Sequence, residues 1–128
     1  MFLLDTDIMI DILRDYPPAI SWLENTDETE ISLPGFVVME LIQGCNNKAE
    51  KETLEEKISD YEIVWPSQAA CFEALNIFSS YYLSHKIGII DALIGQTAID
   101  MGVPLYTFNE KHYNFIPNLN SIQPYKRE

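Results

Sequence analysis

The chain opens on a short apolar run, FLL at positions 2–4, closed at once by Asp5. A run without polar alternation reads as a strand buried on both faces. From DTDIMIDILRD the period changes, and Ile8 and Ile12, with Met9 and Leu13, fall on one side of a helix. Asp5 or Thr6 can cap that helix, and Asp7 suits its positive end. The YPP stretch ends it, and Pro17 and Pro18 start a second helix with Ile20 and Leu23 inward. TEISL (29–33) reads as a strand stopped by Pro34, and Gly35 begins the next helix. A helix over about 48–59 follows, then a strand at 61–65, YEIVW, closed by Pro66. Ser67 caps a long helix to about His85, along which Phe72, Leu75, Phe78, Tyr82 and Leu83 recur near helical spacing. Another helix runs from about Ile90 to Met101, with Gly102 as its cap and Pro104 beyond. PLYTF (104–108) is a further strand, NEKHYNF a short turn or helix, and SIQPY a weak last strand.

Strands alternate with helices, and the strands are apolar runs. This predicts an α/β fold with a parallel sheet covered on both faces. A chain of 128 residues, 47% hydrophobic, suits one domain spanning 1–128 with a compact core. No apolar run approaches the roughly 20 residues of a membrane span, and acids interrupt the N-terminus at once, so a cytoplasmic protein without a signal peptide is expected. The two cysteines form no CxxC pair, and neither a GxGxxG nor a P-loop motif occurs.

The formal charge is −12, which alone argues against nonspecific nucleic-acid binding and favours a basic partner or cations at clustered carboxylates. Half of the acids sit in ENTDETE (24–30) and EKETLEEKISDYE (50–62), which read as a solvated loop and a solvated helix face. Asp7, Asp11 and Asp15 recur at helical spacing and also read as a solvated face. Other acids are less easily placed. Glu40 interrupts FVVMELI, the most apolar run of the chain, with Phe36, Val37 and Gly44 as helical neighbours. Asp91 shares a helical line with Gly95 and Ala98, small residues that let a neighbour press close. Asp5 ends a strand, and Asn109 follows another, where open parallel sheets bind ligands. Each has an ordinary alternative: Asp5 as a cap, Asp91 as a helix-dipole partner, Asn109 as a turn residue, Glu40 facing solvent. Buried carboxylates without basic partners repel one another, and a hard divalent cation relieves this with oxygen ligands alone.

FLLDTDIMIDIL, PGFVVMELIQG and IGIIDALIGQTAIDMGVPLYTFNEKHYNFIPNL resemble, in order and spacing, the PIN domain of VapC-type toxins. The resemblance covers nearly the whole chain. It implies a three-layer α/β/α fold with a central, mainly parallel sheet. It implies endoribonuclease activity dependent on Mg²⁺, with Mn²⁺ as substitute, in which a metal-activated water cleaves an RNA phosphodiester. It also implies a VapB-type antitoxin as partner and a homodimer. The family's acids fall on Asp5, Glu40 and Asp91, and its small polar residue on Thr6. Its fourth acidic position falls on Asn109, a departure that removes one charge and leaves a neutral amide oxygen as a weaker metal donor.

Asp5, Glu40, Asp91 and Asn109 are accordingly the expected catalytic and metal-binding set, with Thr6 and Thr107 orienting carboxylates. Lys86, Lys111 and Arg14 are candidate phosphate-steering cations. Phe36, Ile42, Trp22 and Leu23 are candidates for an antitoxin groove, with core packing as the simpler role. The alternative function is a catalytically weak PIN-like module that binds RNA or protein, motivated by Asn109.

Overall fold

A computed structural model describes residues 1–128. Five short strands form one sheet: β1 (Phe2–Leu4), β2 (Ile31–Pro34), β3 (Glu62–Val64), β4 (Leu105–Tyr106) and β5 (Ser121–Ile122). Seven helices connect them: α1 (Thr6–Leu13), α2 (Pro17–Glu24), α3 (Gly35–Gln43), α4 (Lys48–Ile58), α5 (Gln68–His85), α6 (Ile89–Met101) and α7 (Glu110–Tyr113). The strand order is β3-β2-β1-β4-β5 and every pairing is parallel. The weak last strand is therefore real, and it extends the sheet beyond β4.

The chain builds the sheet outward from β1 in one direction through β2 and β3, then returns to the other side of β1 with β4 and β5. The reversal leaves a crevice at the carboxyl ends of β1 and β4, where open parallel sheets hold their ligands. On the helical layers, α1 packs on α2 and α3, while α5 packs on α6 and α6 on α7. Contact between α3 and α6 joins the two groups.

The core is a continuous apolar cluster that includes Leu3, Leu4, Ile8, Leu33, Val37, Ile94 and Leu105. Local chemistry sets the element ends. Asn47 accepts from the Glu50 N–H while the Glu50 carboxylate accepts from Asn46 N–H, a reciprocal cap on α4. Ser67 Oγ accepts from Ala70 N–H to cap α5, and Asp100 of α6 accepts from Ser67 in turn. Gly102 ends α6 at φ +67°, as a left-handed cap requires. Gly35 is needed for a different reason: a Cβ there would lie 2.3 Å from the Trp65 ring.

Two features of the helices are not what the pattern of residues suggests by itself. The large apolar residues of α5 do not point inward: Phe72, Leu75, Tyr82 and Leu83 are exposed, Leu83 at 88%, and α5 buries only Ala70 and Ala74. Their spacing was helical because they share a face, but small residues on the other side allow α5 to lie close to α6. The Asp7–Asp11–Asp15 row is not a solvated face either. The helix stops at Leu13, leaving Asp15 at φ +56° outside it, and Asp7 and Asp11 are partly buried.

Candidate functional site

Asp5 follows the last residue of β1 and caps α1, its Oδ1 accepting from Thr6 N–H at 2.8 Å. The capping role and a place in the site are thus the same geometry. Its Oδ2 accepts from Thr107 Oγ1, also at 2.8 Å, across the β1–β4 boundary. Asp5 is only 4% exposed, and no lysine or arginine pairs with it. Burial, reinforced by the charge of Asp7 and less by that of Asp91, pushes its pKa up to about 7 despite the two donors.

Glu40 reaches the same cleft from α3. The Thr6 hydroxyl donates to its Oε1 at 2.7 Å, tying the start of α1 to the middle of α3. Thr6 and Thr107 therefore each orient a carboxylate, and each does so for a different one. Asp91, in the first turn of α6, accepts from the buried Tyr113 hydroxyl at 3.3 Å, and its Oδ2 lies 3.1 Å from His112 Nδ1. Burial, with the negative charges of Asp5 and Asp91 beside it, raises the Tyr113 hydroxyl well above its ordinary pKa and keeps it a donor. Gly95 and Ala98 on the same helix are buried, and Gly95 lets Ile116, Leu119 and Tyr113 approach α6.

Asn109 donates through its backbone to Thr107 Oγ1, while its side-chain Nδ2 lies 2.9 Å from His112 Nδ1. The amide has two orientations of nearly equal shape. With its oxygen toward the ring, one Nδ1–H serves both Asp91 and Asn109, so all three groups are satisfied. Asp5, Thr6, Glu40, Asp91 and Asn109 all line one cleft of about 340 Å³.

Sequence reasoning missed four participants. Asp7 also lines the cleft and accepts from Phe108 N–H at 2.9 Å, clasping α1 to the chain beyond β4. Burial, the leading cause, raises its pKa. His112 and Tyr113 hold Asp91, and Arg127 lines the cleft from a segment 21 residues or so beyond β4 by sequence order. The adjacent His112 and Tyr113 of NEKHYNF were the available signal for the second pair; nothing local marked Arg127. Of the candidate phosphate-steering cations, Lys86, Lys111 and Arg14, none lines the cleft itself. Arg14 instead borders a neighbouring groove of about 720 Å³ between α1, α3 and α4, which meets the cleft at Ile10 and Glu40. That groove is not lined by Phe36, Ile42, Trp22 or Leu23, which pack against the core.

The donor set is all oxygen apart from His112, and it suits a hard cation better than zinc or copper. No set of three carboxylate, imidazole or thiol groups is gathered closely enough to hold an ion between them as a ready-made cage. Mg²⁺ does not need one, because it keeps several waters and binds through one or two carboxylates. The raised pKa of Asp5 is the physical sign that a positive charge would be favourable here.

Comparison with known proteins gives a consistent result. The PIN domain family matches residues 2–115. Ribonuclease VapC19 of Mycobacterium tuberculosis is 33% identical over 125 residues, covering 93% of this chain and 97% of its own. A chain of a toxin–antitoxin complex from Klebsiella pneumoniae superposes with a TM-score of 0.79 at 24% identity, covering 99% of this chain and 100% of that chain. VapBC2 from Rickettsia felis, bound to a DNA fragment from its promoter, gives 0.74 at 26% identity, covering 94% and 96%.

Proposed function

The chain belongs to the PIN-domain family, and from that premise we propose that it is a ribonuclease toxin of a VapBC-type toxin–antitoxin module. The observation that carries this reading is the convergence of Asp5, Glu40 and Asp91 from three separate segments in one cleft. In our reading they hold Mg²⁺ or Mn²⁺, with the second lone pair of the Asn109 amide oxygen, whose first accepts from His112, as a weaker donor. Bound there, the ion supplies a more acidic water and offsets phosphate charge.

The chain's own residues do the rest. Thr107 and Tyr113 fix one oxygen each of Asp5 and Asp91, leaving the carboxylates little freedom to turn away. Thr6 does the same for Glu40. Such supporting contacts typically matter by roughly 10–100-fold in metal affinity or activity. Ile10 and Phe108 bound the cleft with apolar surface and limit competing solvation.

An antitoxin of the VapB type is the expected protein partner. The groove between α1, α3 and α4 supports this, since Leu13, Leu41 and Leu54 line it and it opens onto Glu40. A segment bound there would reach the catalytic carboxylates directly. The exposed Phe72, Leu75 and Leu83 on α5 support a homodimer, because such a patch is costly to leave in water. No helix is long and apolar enough to cross a membrane.

Incubation with structured RNAs and Mn²⁺ or Mg²⁺, beside Asp5→Asn, tests the reading. Cleavage by the wild type alone is expected. Equal cleavage by both proteins overturns it, and RNA binding without cleavage by either favours a catalytically weak binding module.

A further inference from the structure

A cleft walled by Asp5, Asp7, Glu40 and Asp91, in a chain of net charge −12, is a poor place for a polyanion. Arg127 is the one basic side chain that lines it. We infer that Arg127 is the RNA-phosphate contact of this site, a substrate-positioning residue that holds a backbone phosphate at the cleft rim. The inference rests on the ribonuclease reading above.

The guanidinium is held rather than free. It lies over the Phe108 ring, 4.2 Å from the centroid, and its Nε donates to Asp11 Oδ2 at 3.0 Å. Phe108 is itself fixed by its N–H to Asp7. A guanidinium has five N–H donors, and only Nε and one weak bond at 3.5 Å to the Asp7 carbonyl engage the protein. The remaining donors form the fork that suits a phosphate. A simple role as a tether for the last residues is already filled, since Tyr125 donates to Asp11 at 2.7 Å and Glu128 N–H to the Tyr16 hydroxyl at 2.7 Å. Asp11, shared by Tyr125 and Arg127, sets the guanidinium in place without closing off its outer edge.

The test is steady-state cleavage of a single-stranded RNA at several salt concentrations by the wild type, Arg127→Gln, Arg127→Lys and Tyr16→Phe, with thermal melts of each. Arg127→Gln is expected to raise KM about tenfold with a smaller change in kcat, as for loss of one charged hydrogen bond. The slope of log KM on log salt should fall by about 0.7, the share of one single-strand phosphate contact. Arg127→Lys, which keeps the charge and gives up the fork, should hold the wild-type slope with an intermediate KM. Tyr16→Phe, which loosens only the tether, should lower the melting midpoint and leave KM alone. An unchanged slope in Arg127→Gln, a lysine variant as poor as the glutamine variant, or an equal KM rise in Tyr16→Phe overturns the inference. A wild type that cleaves no RNA overturns the ribonuclease reading and this inference together, whereas an active wild type with a KM independent of Arg127 overturns this one alone.

Discussion

The cleft and the outer face of α5 are opposite violations of one rule. In the cleft, Asp5 lies out of water with no basic partner, and other carboxylates gather beside it; on α5, Phe72, Leu75 and Leu83 lie in water. Burial of unpaired charge and exposure of large apolar patches both cost free energy. Neither is explained by folding, and in the reading proposed above each is met from outside the chain: by a cation and a phosphate for the first, by a second copy for the second. The contrast also separates mechanism from assembly, because the two regions share no residues.

The comparison can be broken most forcefully at Asp5. Asp5→Asn should lower RNA cleavage on the order of 10²–10³-fold, the usual scale for removing a group that acts only on the reacting charge. The same variant should be more stable than the wild type to urea at pH 7.5 in EDTA, because it removes a buried charge. A variant that is both inactive and less stable would make Asp5 a structural acid.

The second prediction follows from protonation. With an ordinary value of 3.8 and a folded value of about 7, Asp5 is protonated in both states below pH 3.8. Above that, the unfolded chain releases its proton first. Stability is thus highest at the acid end of this window and falls as pH rises toward about 7, by up to roughly 4 kcal/mol for this group. The raised Asp7 acts in the same direction. Urea unfolding from pH 4 to 8 in EDTA should show the fall, Mg²⁺ should flatten it, and Asp5→Asn should remove most of it.

On the α5 side, pairing Leu75→Asp with Leu83→Asp should turn a dimer into a monomer by sedimentation while RNA cleavage per chain persists. Monomer stability should move by no more than about 0.5 kcal/mol, as for exposed positions. A large loss of stability would mean that α5 is packed within the chain after all. An effect on stability alone is expected at the start of the same helix, where Ser67→Ala should cost about 1 kcal/mol by urea unfolding without touching either activity or assembly.

Much of this was open to reading from the residues. Asp5 at a strand end, Glu40 inside FVVMELI and Asp91 on a helical line with Gly95 were each visible as polar groups in apolar settings. Pro34, Ser67 and Gly102 marked element ends by their own backbone chemistry, which needs no partner. The spacing along α5 was legible as helix, but helical period reports that residues share a face, not which way the face looks. Asp7 misled for a similar reason, since an acid in a regular row on a helix is read as solvated until a second element is seen above it.

The sequence by itself determined the elements, their order and the three acids that stand out. These depend on short-range propensity and on the cost of desolvating a charge, both of which act within a few residues. Only the tertiary structure decided which acids meet, that Thr6 serves Glu40 while Thr107 serves Asp5, and that Arg127 returns to the rim of a cleft begun by Asp5. Those are contacts between distant segments, with 34 residues separating Thr6 from Glu40 and 102 separating Asp5 from Thr107. Their energies are set by distance and direction in space, and the parallel β1–β4 pairing that brings them together is not encoded in any local pattern.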